Sequence, residues 1–81
     1  MKHYLRNESK YGTVSHAFYD FENKKSITID KWSIEIEDDM DDPEWDLAYA
    51  LKNEYKFITR EEFETAYKAM VTRLNNISKE I

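Results

Sequence analysis

The spacing of apolar residues changes once along this chain, and the change divides it in two. From Gly12 to about Glu37 apolar side chains recur at every second position, whereas from Pro43 onward they recur at every third and fourth. A two-residue repeat belongs to a strand, whose side chains alternate between faces, and a repeat near 3.6 belongs to a helix. Strands followed by helices predict an α+β fold, in which a two- or three-stranded antiparallel sheet from the N-terminal half is packed by two C-terminal helices laid on one face.

Val14, His16 and Phe18 alternate with Ala17, Tyr19 and Phe21, which predicts a strand over about 12–22 with apolar groups on both faces. Glu22-Asn23-Lys24-Lys25 is polar and reads as a turn into a second strand over about 26–37, closing a hairpin. Within that second run Ile27 and Ile29 share one parity and Trp32, Ile34 and Ile36 the other. Such a slip exchanges the two faces of a strand, so a β-bulge or bend is expected at Asp30-Lys31. Residues 2–6 form a third, shorter strand in this reading, ahead of the polar Asn7–Lys10 connection.

Asp42-Pro43 supplies a capping carboxylate followed by a proline suited to the first helical position, with Glu44 and Asp46 near the positive end of the dipole. A helix is expected over about 43–54, with Trp45, Ala48 and Tyr49 beside Leu47, Leu51 and Tyr55 as a broad apolar face. Ile58-Thr59-Arg60-Glu61-Glu62-Phe63 carries both a capping box, Thr59 with Glu62, and a hydrophobic staple, Ile58 on Phe63. The helix it starts runs over about 60–77 and turns Phe63, Ala66, Tyr67, Met70, Val71, Leu74 and Ile77 toward a core, with Glu64 and Lys68 an i,i+4 pair outside.

One Gly and one Pro in 81 residues leave no linker composition, and one domain, 1–81, is the expected organisation. A domain of this size buries only about 60% of its unfolded surface, so self-association into a homodimer that completes the core is one way to supplement it. Cysteine is absent, which removes disulfides, thiolate metal sites and cysteine nucleophiles together and fits a reducing, cytoplasmic setting. No apolar run reaches the roughly 20 residues of a membrane span, and Met1–Arg6 has no signal-peptide core. Asn7-Glu8-Ser9 and Asn76-Ile77-Ser78 are sequons without a secretory context.

Charge is distributed unevenly. Residues 1–31 hold six Lys/Arg against four Asp/Glu, a net of +2, and residues 32–81 hold six against thirteen, a net of −7. The excess is gathered in one run: Glu35, Glu37, Asp38, Asp39, Asp41, Asp42, Glu44 and Asp46 lie between Ser33 and Asp46 with no Lys or Arg among them. Unrelieved like charge repels itself and calls for a partner of the other sign. The expected site is therefore a docking surface for a basic protein made by Glu35, Glu37, Asp38, Asp39, Asp41 and Asp42, with Trp45 or Trp32 packing beside it. The plain alternative is a solvated loop whose last carboxylates favour a helix start. A calcium loop is excluded by spacing: counted from Asp39, Glu44 stands where the turn needs Gly and Ala50 where it needs a bidentate Glu. No metal, and no cofactor, is expected.

No catalytic constellation emerges. His16 sits among apolar strand residues and His3 near the start, neither beside a nucleophile motif, and no P-loop, dinucleotide fingerprint, HExxH or nucleophile elbow occurs. A non-catalytic protein is the expectation. A second reading is single-stranded nucleic-acid binding on a sheet face, with Tyr4, Tyr11, Phe18, Tyr19 and Phe21 stacking bases beside Arg6, Lys10, Lys24 and Lys25. The net charge of −5 opposes a phosphate polyanion.

Overall fold

Five strands and two helices follow one another in the structure, a computed structural model that describes residues 1–80. The strands are β1 (Lys2–Glu8), β2 (Val14–Asp20), β3 (Lys25–Ile29), β4 (Ile34–Glu37) and β5 (Lys56–Phe57); the helices are α1 (Pro43–Lys52), between β4 and β5, and α2 (Arg60–Ser78). All neighbouring strands are antiparallel in one sheet of order β4-β3-β2-β1-β5. The α+β class holds, but the sheet has five strands rather than two or three.

Two of those strands come from the run expected as 26–37. The phase slip at Asp30-Lys31 is a complete chain reversal, not a bulge: the Asp30 N–H donates to the Ser33 carbonyl at 2.9 Å, and Ile29 pairs with Ile34. A four-residue connection places an odd-numbered residue opposite an even-numbered one, so apolar residues that share a face must change parity across it. β5 is too short to carry a period of its own. It pairs Leu5 with Phe57 and Arg6 with Lys56, and the Ile58 N–H then donates to the Tyr4 carbonyl at 2.9 Å.

The turns explain where the strands stop. Between β1 and β2 the Ser9 hydroxyl accepts from the Tyr11 and Thr13 N–H groups, both at 3.2 Å, and Gly12 adopts φ +82°, a region open to glycine at little cost. After β2, the Asp20 carboxylate accepts from Asn23 N (3.3 Å) and Nδ2 (2.9 Å), and the Asn23 side chain holds its pKa below the ordinary carboxylate value. β2 accordingly spans 14–20 rather than 12–22.

Strand alternation sends apolar residues to both faces, and each face receives a helix. Ile29, with Tyr4, Phe18, Ile27 and Ile34 around it, packs against Phe63 and Met70 of α2. Leu5 and Ala17, of the opposite parity, pack against Leu47 of α1 with Tyr19, Phe21 and Tyr55 at the rim. The sheet is therefore the middle layer, and the expectation of both helices on one face is corrected. Two-sided apolar strands cannot leave one face in water, so a single helical layer would strand half of their apolar surface.

α2 starts at the expected box: the Glu62 N–H donates to Thr59 Oγ1 at 3.1 Å and the Thr59 N–H to Glu62 Oε1 at 3.4 Å. On its outer side Glu64 pairs with Arg60, Nε to Oε1 2.6 Å, and not with Lys68 as its ion-pair partner. α1 ends at Lys52, two residues before the expected Glu54, because Glu54 takes φ +69° and the chain closes a Schellman turn. Its two bonds are Tyr55 N–H to Ala50 O at 3.1 Å and Glu54 N–H to Leu51 O at 3.3 Å. No helix among the described residues is long and apolar enough to cross a membrane.

Candidate functional site

The acidic run is laid out along the edge of the sheet and into α1. Glu35 and Glu37 stand on β4, on the face that α1 occupies, opposite Thr28 and Ser26 of β3. Asp38 and Asp39 turn the chain away, Asp39 at φ +62°, and Asp41 and Asp42 lead into the helix. Met40 and Pro43 are buried within the run and Leu47 just after it, and the carboxylates from Glu35 to Glu44 are exposed, while Asp46 is half-buried. The Met40 N–H fixes the loop by donating to the Lys24 carbonyl at 2.9 Å. Asp42 caps α1, accepting from the Trp45 N–H at 3.0 Å.

Cations hardly enter this surface. Among the described residues the run makes one ion pair, Lys25 Nζ to Asp38 Oδ1 at 3.9 Å, with both side chains largely in water. An exposed pair at that distance contributes between nothing and about 1 kcal/mol. The resulting field acts on Tyr19, which shares a row across the sheet with Ser26 and Glu37. Its hydroxyl is pushed up to about 12, first by burial, then by Asp46, Tyr55 and Glu37.

Trp45 lies on the outer side of α1 and stacks on Tyr49 one turn later, with ring centroids 5.2 Å apart and planes 12° from parallel. They are 60% and 56% exposed, although their spacing reads as half of an apolar face. Only Pro43, Leu47 and Ala50 of α1 are buried, since a ten-residue helix over a narrow sheet seats one stripe. Tyr49 is thus a member of the surface that the spacing alone assigns to the core. Trp32 stands apart from it, on the β3–β4 turn under the Arg73 guanidinium, 3.7 Å from its ring centroid. Arg73 also donates to the Lys31 carbonyl at 3.2 Å, so this cation–π contact ties the turn to α2.

A groove of about 470 Å³ opens between that turn, the β1–β2 loop and α2, with Ala66 and Ala69 leaving the room and His16, Ile29 and Met70 lining it. Burial holds the His16 pKa below its ordinary value, Arg6 adds to that and Glu62 opposes it. Asp30 at its margin accepts from the Ser15 hydroxyl at 3.3 Å. The His3 ring packs between Phe21 at 4.7 Å and Phe57 at 6.0 Å. No group of three His, Asp or Glu among the described residues is placed to hold a metal ion.

The aromatic residues weighed for nucleic-acid stacking are divided by the sheet. Tyr4 and Phe18 stack on each other at 5.2 Å beneath α2 and touch Phe63, while Tyr19 and Phe21 lie beside α1. Tyr11 alone of the five is freely exposed, on the β1–β2 loop with Lys10 over its ring. Comparison of the chain with models of protein families, with curated proteins and with solved structures found no match.

Proposed function

We propose that this protein is a non-catalytic docking protein that binds a basic protein partner through the outward carboxylates of 35–46 and the Trp45–Tyr49 stack. One observation carries the reading: a preassembled, solvent-facing aromatic pair stands on a helix whose approach and first turn are rimmed by carboxylates with a single weak cation contact. Each half supplies what the other lacks. Carboxylates steer a basic partner over distance and set its orientation, and a rigid aromatic pair gives apolar area at low entropic cost on contact. The sheet aromatics, half-buried against the helices and divided between the two faces, favour this reading over base stacking, which needs rings open to the ligand.

The probe for the test is a labelled oligolysine peptide that ends in an aromatic residue. Its affinity should fall steeply from low to physiological salt, where the screening length shortens to about 8 Å. An Asp38, Asp39, Asp41→Asn triple variant should bind about tenfold more weakly at low salt, three rim charges at up to about 1 kcal/mol each leaving room for that loss. Asparagine accepts the left-handed backbone at Asp39 and leaves the Asp42 cap untouched, so the fold survives the change. Trp45→Ala should weaken binding by a similar factor at every salt concentration. Affinity indifferent to salt and to the triple change removes the proposal.

A further inference from the structure

Both ends of the sheet are open, and only one of them can take another strand. β5 offers two residues at its edge, whereas β4 offers four, Ile34–Glu37. Among the described residues, the ladder to β3 accounts for every hydrogen bond that the β4 backbone makes. The outer backbone groups of β4 therefore meet solvent, which is what an added strand requires.

The two faces of this edge differ in chemistry. On the α2 side a row runs Tyr4, Phe18, Ile27, Ile36 across four strands. The first three are half-buried and pack against the core under α2, and Ile36, the last, is 64% exposed. On the α1 side the corresponding rows end in Glu35 and Glu37. A strand laid beside β4 thus meets apolar, acidic, apolar and acidic residues in turn, with the period of its own side chains.

We infer that β4 captures an extended segment of the basic partner by strand addition, with Lys or Arg at alternate positions opposite Glu35 and Glu37 and apolar residues opposite Ile34 and Ile36. Directly opposed side chains on paired strands stand about 4.5–5.5 Å apart, within reach for charge pairing on one face and for continuing the apolar row on the other. This rests on the reading of the acidic face as a docking surface for a basic protein, and it specifies the conformation and the pattern of what docks. A second copy of the chain is the wrong occupant. Antiparallel pairing about a two-fold axis keeps the faces aligned and sets the glutamates of one copy against those of the other, which destabilises the pair. The glutamates that guard the edge against its own kind select a basic strand.

The test varies the peptide and leaves the protein intact. An alternating Lys-Val peptide of about nine residues, enough to overrun a strand of this length, is compared with a peptide of the same composition whose lysines form one block. Two further versions carry N-methyl groups on every second amide, one along each edge of the strand. Strand addition uses one edge, so one methylated version should lose about tenfold or more in affinity while the other binds like the parent, and the block peptide should bind about tenfold more weakly. A Glu35→Lys, Glu37→Lys double variant should lose the alternating peptide as well. If all four peptides bind alike and the Asp38, Asp39, Asp41→Asn variant weakens each of them, strand addition is overturned and the docking surface stands. Binding of none of them overturns both.

Discussion

Tyr19 reports the field of the acidic face from a half-buried position. Its hydroxyl is lifted from 10.0 to about 12, with Asp46 the largest charged cause after burial. A group that holds its proton more tightly in the folded chain contributes its full stability below the unfolded value and loses it as pH rises toward the folded one. The loss attached to Tyr19 therefore spreads from about pH 10 to about pH 12, with the amount reduced by its partial contact with water. Asp46→Asn removes a carboxylate from beside the ring and should bring the Tyr19 titration down toward 10.0. The tyrosinate absorbance, with Tyr19→Phe to identify the late phase, is the measurement; an unmoved late phase would mean that burial alone sets it. Nothing in the spacing of Tyr19 in the sequence marks it as a neighbour of Asp46, because the two meet only when α1 folds back over β2.

At the level of elements, start signals are more legible than ends. Thr59-Arg60-Glu61-Glu62 names its helix start because a capping box is closed by residues three apart, and the box forms as expected. The end of α1 is harder to see, since Glu54 occupies the left-handed position where glycine is the usual choice. Glu54→Gly should relieve that backbone and raise stability by about 0.5–1 kcal/mol, less the added entropy of the unfolded chain. Chemical denaturation would measure it, and a destabilisation would show that the Glu54 side chain matters more than its backbone. The β3–β4 hairpin was half legible. The change of parity from Ile29 to Ile34 was visible, but Asp30-Lys31-Trp32-Ser33 lacks the Gly or Pro that announces a turn, and the Arg73 contact that holds Trp32 comes from the other end of the chain. β5 is defined wholly by its pairing with β1 and carries no local signal.

Across the whole molecule, two small cores on opposite faces of one sheet share the work of stability. Leu5, 0% exposed, is the centre of one, and Phe63 of the other. Leu5→Ala should cost about 2–5 kcal/mol and Phe63→Ala about 3–5, each a large part of the 5–15 typical of a folded protein. Because β2 carries residues of both cores, Ala17 and Phe18, both variants should unfold in one transition seen alike by Trp fluorescence and far-ultraviolet dichroism. Separate transitions would mean that the two faces melt independently. By itself the sequence determined the α+β class of the fold, the start of each helix and the position of the acidic run, because periodicity, capping and charge are properties of neighbouring residues. Only the tertiary structure decided that the sheet has five strands with β5 inserted between the helices as one edge, that the helices take opposite faces, that Ile36 lies bare at the other edge, and that Trp45 stacks on Tyr49 in water. Those outcomes depend on which apolar surface each segment finds to cover, and that is settled between residues far apart in the chain.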